Sequence, residues 1–537
     1  IAHRYQESKT LKNVLILGKE TFDYKGKLGG RPNLVPIYTS RNSLNPLQTY
    51  SSDDFLGLID WGQGVWEESR EGDELLQIGV GRIPAINFIE ANLMVDKIIA
   101  YETGRFDPSI FPSFTLLADD ADNAIHMRDS ESHAAYLEQN HGEIKIDRLY
   151  LDAFEQIQAG NRQQSPQAKA ALETNLQKGP LVVNYVGHGN ETTLMAEEVF
   201  TVSDISEWAK QNPMALWVTA TCEFGRQDSP LLRSGAEELL FASQKGAIGL
   251  LTTGRPVFSS VNFQLNEAFV RQVFRKAGGQ SQDLGTIFKE TKNQSLNGVL
   301  NRNFSLLGDP SLKLAAPELE IAVNGFFKPS STEPQDTLIA LEEIELIAEV
   351  IDPITKATVS SFNGDYILEL RAAATPSRTL GDENSPFEYL EEKTLLFRGQ
   401  GSVENGVLKG KFLIPNHLSQ PIESGNLRIL AWEEESAYRA VGHIKPILSQ
   451  NPTPPNDQTG PEISPALEGK TEGPFVFNTT QIQVGADIFD LNGIQVSGQV
   501  PGQDLYLQVN DQSPIILNEE FLAINGSYEK GTFLVTV

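Results

Sequence analysis

Cysteine is nearly missing: of 537 residues only Cys222 carries a thiol, so no disulfide can form within the chain and a disulfide-stapled scaffold is excluded. Positive charge is scarce too. Forty-three Lys and Arg stand against 71 Asp and Glu, a formal net charge of −28, and no basic block interrupts the deficit. Nucleic-acid binding needs clustered cations to neutralise phosphates, so no nucleic-acid partner is expected, and an anionic membrane surface is disfavoured. No apolar run approaches the roughly 20 residues that cross a bilayer as a helix, and the longest, such as 181–186, are strand-sized. No signal-like apolar segment opens the chain and residues 532–537 read as a strand, so a mature form or a fragment is expected. Walker, dinucleotide and EF-hand patterns are missing, and no long repeat is visible.

What is present is an ordinary globular composition, 40% hydrophobic and 21% charged. At roughly 100–200 residues per domain the length suggests three or four domains. Up to about residue 316, β-branched runs at 13–17, 77–80, 114–117, 144–150, 181–186, 216–220 and 247–252 alternate with helical segments, the pattern of a parallel sheet with crossover helices. Asn87 with Glu90 opens a helix carrying Ile89, Leu93 and Ile98; Ser165-Pro166 opens another that Gly179 stops; Ser234 with Glu237 forms a capping-box start. Beyond LLGDPSLKLAAPE (306–318) strands take over, with alternation in 366–371 and 427–432. The expected organisation is an α/β region in two sub-domains, 1–108 and 109–316, then an Ig-like β-sandwich over 317–446. A Pro-rich linker at 447–464, within NPTPPNDQTGPEISP (451–465), and a partial further β domain at 465–537 complete it.

Two strand ends carry chemistry. In NYVGHGNET (184–192) an apolar strand runs into Gly187-His188-Gly189, and in WVTATCEFGRQDSP (217–230) another delivers Cys222. Ligands of open α/β sheets collect at the carboxyl ends of strands. The two residues lie 34 positions apart with one polar helical crossover, 202–211, between them, a length that brings parallel strands alongside or one position away. A Cys222–His188 dyad follows, with the backbone N–H groups of Cys222 and Gly189 as oxyanion donors. A lone histidine at a strand end is more often structural, and a free cysteine is most often a small buried hydrophobe; the pairing favours chemistry. His126 and His133 read as surface residues of a charged helix, with no further ligands at metal-binding spacing.

The order GHG, crossover, ATCEF, then the Gly-rich KGAIGLLTTGR (245–255) and LLGDPSL resembles the gingipain-type cysteine peptidases, family C25, which have a caspase-like fold. The segments YSSDDFLGLIDWG, GRIPA, ATCEFGRQDSP and SGAEELLF resemble most the type IX secretion sortases of that family in Bacteroidota. The resemblance covers residues 1 to about 316 and, in general pattern only, the β-rich remainder. It implies His188 and Cys222 as the catalytic pair and a carboxylate from LLADDAD (116–122), Asp120 or else Asp119, orienting the histidine. It implies no required cofactor. Asp53-Asp54 and Asp119-Asp120-Asp122 could bind a structural calcium, as in some relatives. Neither the residues nor the resemblance assigns an acidic pocket residue selecting Arg or Lys. The implied partners are protein substrates with a C-terminal sorting domain, a lipopolysaccharide amine acceptor and outer-membrane secretion proteins, at the cell surface. The alternatives are a secreted gingipain-like endopeptidase, or an inactive β-rich adhesin or secretion scaffold.

Overall fold

A computed structural model describes residues 1–537 except 42–43, 46, 64–73, 105, 161, 297, 299, 383, 435–437, 454–458, 474–475, 477–480 and 500–501. The chain divides into two compact units, one of Ile1–Ala316 with Arg378–Tyr389, the other of Pro317–Ser377 with Leu390–Val537.

The first unit is built on eight strands: β1 (Asn13–Leu17), β2 (Gly79–Ile83), β3 (Ser113–Ala118), β4 (Lys145–Tyr150), β5 (Val182–Val186), β6 (Ala215–Ala220), β7 (Ala247–Thr253) and β8 (Phe304–Leu307). They lie in the order β1-β2-β8-β7-β6-β5-β3-β4. Strands β7, β6, β5, β3 and β4 are mutually parallel, and β8 runs antiparallel to β7. The strands at the two ends of the expected sub-domain division thus share one sheet. Successive side chains go to opposite faces, as the pleat requires. Leu116, Val182 and Leu216 enter one core; Leu117, Val183 and Trp217 enter the other. Helices cover both faces, so the central strands are apolar without alternation.

Those helices are α1 (Phe88–Glu102), α2 (Ala121–Asn140), α3 (Pro166–Gln177), α4 (Gly235–Phe241), α5 (Ser259–Gln272) and α6 (Leu284–Gln294). The expected starts hold: Asn87 accepts from the Glu90 N–H, and Ser234 and Glu237 form a reciprocal capping box. In α1, however, Met94, Lys97 and Tyr101 turn fully inward, while Leu93 and Ile98 pack at the margin and Ile89 is exposed. The buried Lys97 ammonium donates to the carbonyls of Leu240, Lys245 and Ala247.

Two expectations fail here. The helix expected over 202–211 is a single turn, Asp204–Glu207, because Trp208 leaves in an extended conformation to stack on Trp217 (ring centroids 6.4 Å, 16°). His126 and His133 are buried rather than on the surface. With Met127, Ser130, Ala134 and Leu137 they form the inward face of α2, whose many charged residues mask it in the sequence. His133 stacks on Phe263 (5.6 Å, 16°).

The principal strands of the second unit are β9 (Leu319–Phe327), β10 (Ile344–Ile351), β11 (Gly364–Arg371), β12 (Leu395–Glu404), β13 (Val407–Phe412), β14 (Asn426–Trp432), β15 (Arg439–Ile444), β16 (Glu462–Leu467), β17 (Gln483–Phe489), β18 (Leu522–Ala523) and β19 (Lys530–Thr536). Their order is β11-β14-β15-β9-β10-β13-β12-β18-β19-β17-β16, and a further β11–β12 pairing closes the sheet into a barrel-like form. In β10, Ile344, Leu346, Ala348 and Val350 point into the core while the residues between them face outward. Strands β16–β19 belong to this same sheet. Residues 454–458 of the expected linker lie outside the described residues, and Pro465 sits in the edge strand β16, where a missing N–H is tolerated.

Burial pushes the His133 pKa from 6.5 down to about 4. Between these values the unfolded chain takes up a proton that the folded chain excludes, so stability falls as the pH drops from 6.5 to 4, by about 3 kcal/mol for this one ring. Replacing His133 by Phe should flatten that part of a pH–stability curve measured by chemical denaturation.

Candidate active site

Strands β3, β5 and β6 end in register: Ala118 pairs with Val186, and Val186 with Ala220. His188 and Cys222 each stand two residues beyond a paired position, so neighbouring parallel strands deliver both to one edge of the sheet. The sequence spacing led to this juxtaposition, and the structure has it.

The His188 backbone is fixed before its ring is. Asp119, 2% exposed, accepts the His188 N–H through Oδ2 and the Asp120 N–H through Oδ1, both at 2.9 Å. The Tyr185 hydroxyl donates to the His188 carbonyl, which also accepts the Met195 N–H at 3.1 Å. Gly187 is required at the crossing, because a Cβ there would lie 2.3 Å from the Asp119 Cβ. Asn190 N–H donates to the Thr193 carbonyl at 3.0 Å, which with the Met195 bond brackets Gly189 opposite Leu194 as a non-hydrogen-bonded pair. Among the described residues, the N–H groups of Gly189 and Cys222 have no backbone acceptor.

The carboxylate on the ring is Asp122. Its Oδ2 lies 2.9 Å from His188 Nε2. This corrects the expectation of Asp120 or Asp119: Asp119 holds the backbone, and the Asp120 carboxylate accepts from Gln156 Nε2 at 2.5 Å. The Asp120 carbonyl accepts from Asn384 Nδ2 at 2.6 Å. Three consecutive left-handed residues, Asp122, Asn123 and Ala124 (φ 58°, 56° and 59°), swing the chain so that Asp122 reaches the ring. No glycine marks that turn in the sequence. The only local signal is that Asp122 and His126 are one helical turn apart. His126 Nε2 lies 3.6 Å from the same Asp122 Oδ2, and the two imidazoles meet edge to face with centroids 5.4 Å apart.

Cys222 is half-buried, and its thiol faces the Val257 carbonyl at 3.9 Å. Among the described residues, no hydrogen bond joins it to the His188 ring. The loop after it is braced by the Gly225 N–H to the Thr253 carbonyl (2.8 Å) and by the Thr253 hydroxyl to the Thr221 carbonyl. Glu223, with φ 55°, follows the thiol directly, and burial raises its pKa against the opposing pull of Arg226. Arg226 lies 3.0 Å from Glu191 and 3.2 Å from Glu223, tying the loop that carries His188 to the loop that carries Cys222. Sequence reasoning missed this clasp because its members read as separate surface charges.

The places considered for calcium resolve differently. Asp53 pairs with Arg82 at 2.6 Å, and Asp54 faces Lys292 (2.9 Å) and Arg302 (3.2 Å), so both carboxylates are matched by buried cations. Asp122 is turned to His188, and the carboxylate that gathers with Asp119 and Asp120, within 4.8 Å, is that of Glu197.

A family model described as Peptidase family C25 matches residues 1–315. No curated protein matches the sequence. Among solved structures, the chain is similar to the Arg-specific cysteine proteinase gingipain R, with a TM-score of 0.46 and 14% identity, covering 84% of this chain and 86% of that one. It is also similar to the complex of Porphyromonas gingivalis RgpB pro- and mature domains (TM-score 0.44, 13% identity, 84% and 88% covered). Dimeric latent PorU from Porphyromonas gingivalis is matched at 19% identity and a TM-score of 0.36, over 99% of this chain but 46% of that one.

Replacing Gly187 by Ala should cost about 1–3 kcal/mol, because the new methyl group forces Asp119 from the His188 N–H. Asp122→Asn, at an exposed carboxylate, should leave stability within about 0.5 kcal/mol. Chemical denaturation of both variants checks the contrast.

Proposed function

The chain belongs to peptidase family C25, a family of cysteine peptidases, and on that premise we propose that Cys222 is its nucleophile and His188 its general base and acid. The observation that carries this reading is the equal overhang of the two residues on adjacent parallel strands, with Asp122 held on the ring. Asp122 accepts a proton held at His188 Nε2, which leaves Nδ1 with its lone pair for the thiol. The thiolate attacks the scissile carbonyl carbon, and the developing oxyanion takes the N–H groups of Gly189 and Cys222. Collapse expels the amine, which leaves with the proton from Nδ1, and a thioester remains on Cys222. Water, or an amine, attacks that thioester and returns the thiol.

We propose further that the attacking group is an amine. In this reading the enzyme is a sortase of type IX secretion, acting at the cell surface with outer-membrane partners. It removes the C-terminal sorting domain of secreted cargo and passes the acyl group to a lipopolysaccharide amine. Support comes from the sortase-like segments at 50–62, 81–85, 220–230 and 234–241. Charge adds to it: Glu191 and Glu223, the carboxylates closest in sequence to the pair on the two loops, are engaged by Arg226, and Asp228 is engaged by Arg255. None of the three is left to select an Arg or Lys side chain.

Cys222→Ala should lower cleavage by more than roughly 1,000-fold. Asp122→Asn should lower kcat by about 10-fold or more with little change in KM, since orientation of the base acts in the transition state, while Asp120→Ala leaves kcat near that of the parent. Given cargo bearing a type IX C-terminal domain and an amine acceptor, mass spectrometry should find a ligated product growing at the expense of the free acid. Free acid alone at every acceptor concentration, with rapid cutting of Arg- or Lys-containing peptides, would favour the endopeptidase alternative.

A further inference from the structure

One side chain beside the site is unexplained by peptide cleavage. His126 is 5% exposed, and neither of its buried ring nitrogens has a partner at hydrogen-bond distance, the Asp122 carboxylate standing 3.6 Å from Nε2. A buried polar group left in this way is costly and asks for a ligand. The ring is not aimed into empty core. A nitrogen of His126, a nitrogen of His188 and a carboxylate oxygen of Asp119 all lie within 4.8 Å of one another.

We infer that Asp119, His126 and His188 form a binding site for a zinc ion, which withdraws the His188 imidazole from its partners and switches the enzyme off reversibly. Two imidazoles with one carboxylate are a donor set for zinc; calcium and magnesium take oxygen donors. A tetrahedral ion with bonds of about 2.1 Å brings its donors to about 3.4 Å from one another, so the trio has to close by about 1.4 Å at most. The half-exposed ring of His188 has the freedom to supply that movement. Each Asp119 oxygen accepts one backbone N–H and keeps a second lone pair for the metal. On binding, one His188 nitrogen is committed to zinc, and the Asp122 carboxylate or a water fills the fourth position. No redox step is involved, and a chelator reverses the binding. The switching consequence rests on the peptidase reading; the metal site does not.

The test is calorimetric titration of zinc chloride into the whole chain carrying Cys222→Ala, which removes the thiol as a competing ligand. One equivalent should bind. Adding His126→Gln should weaken binding by more than roughly 100-fold, beyond what loss of an outer-shell partner costs. His188→Ala, at an exposed position where folding is not at stake, should do the same. Zinc that vanishes with Cys222→Ala, or that persists within about threefold in both histidine variants, overturns the site. Zinc bound and lost as expected, in a protein whose parent form cleaves no substrate, upholds the site and removes the peptidase reading instead.

Discussion

A single buried carboxylate holds the edge of the sheet that carries His188 together. Asp119 ends one strand, grips the backbone of His188 beyond the next, and turns the chain at Asp120 toward α2. Taking an ionised carboxylate out of water costs several kcal/mol unless its oxygens are matched. Here both accept backbone N–H groups, charge-assisted bonds of the stronger kind. The arrangement demands a residue with no side chain at 187, a hydroxyl from Tyr185 behind the His188 carbonyl, and a parallel register that brings β3 to β5. Remove the carboxylate and three separate pieces of chain lose their common reference point.

The net charge conceals how the buried cations are used. Among the described residues, Arg82, Lys292, Arg302 and Arg255 are nearly or wholly buried, and each meets a buried carboxylate: Asp53, Asp54 or Asp228. Lys19 meets Glu237, which also completes the capping box of α4 with Ser234. The long segment between β1 and β2 is therefore pinned by charge matching as well as by its own small apolar cluster of Tyr50, Leu58 and Leu76. Glu20 belongs to this cluster, and burial raises its pKa to about 8 against the pull of Arg82.

Much of this was legible in the sequence where the physics is local. Strand ends, the caps at Asn87 and Ser234, and the delivery of His188 and Cys222 to one edge of the sheet follow from patterns within a few residues of each other plus the rule for parallel crossovers. What escaped depends on distant contacts or on conformations that residue types do not announce. Asp122 reaches the ring through left-handed backbone at non-glycine positions. The helical face bearing His126 and His133 is surrounded in sequence by Asp, Glu and Arg, so its apolar stripe is faint. Trp208 gives up a helix for a stacking partner nine residues on. The β11–β12 contact that closes the second sheet joins segments whose patterns are equally compatible with a flat sandwich.

The left-handed triplet has a consequence for how this protein can change over generations. Asp and Asn visit that conformation at modest cost, but Ala124, buried and bearing a methyl group, does so at about 1–2 kcal/mol. Selection for stability alone would drift these positions toward glycine, whose freedom would let the turn relax and the carboxylate wander. Side chains at these positions thus carry a standing loss of stability in exchange for a fixed Asp122.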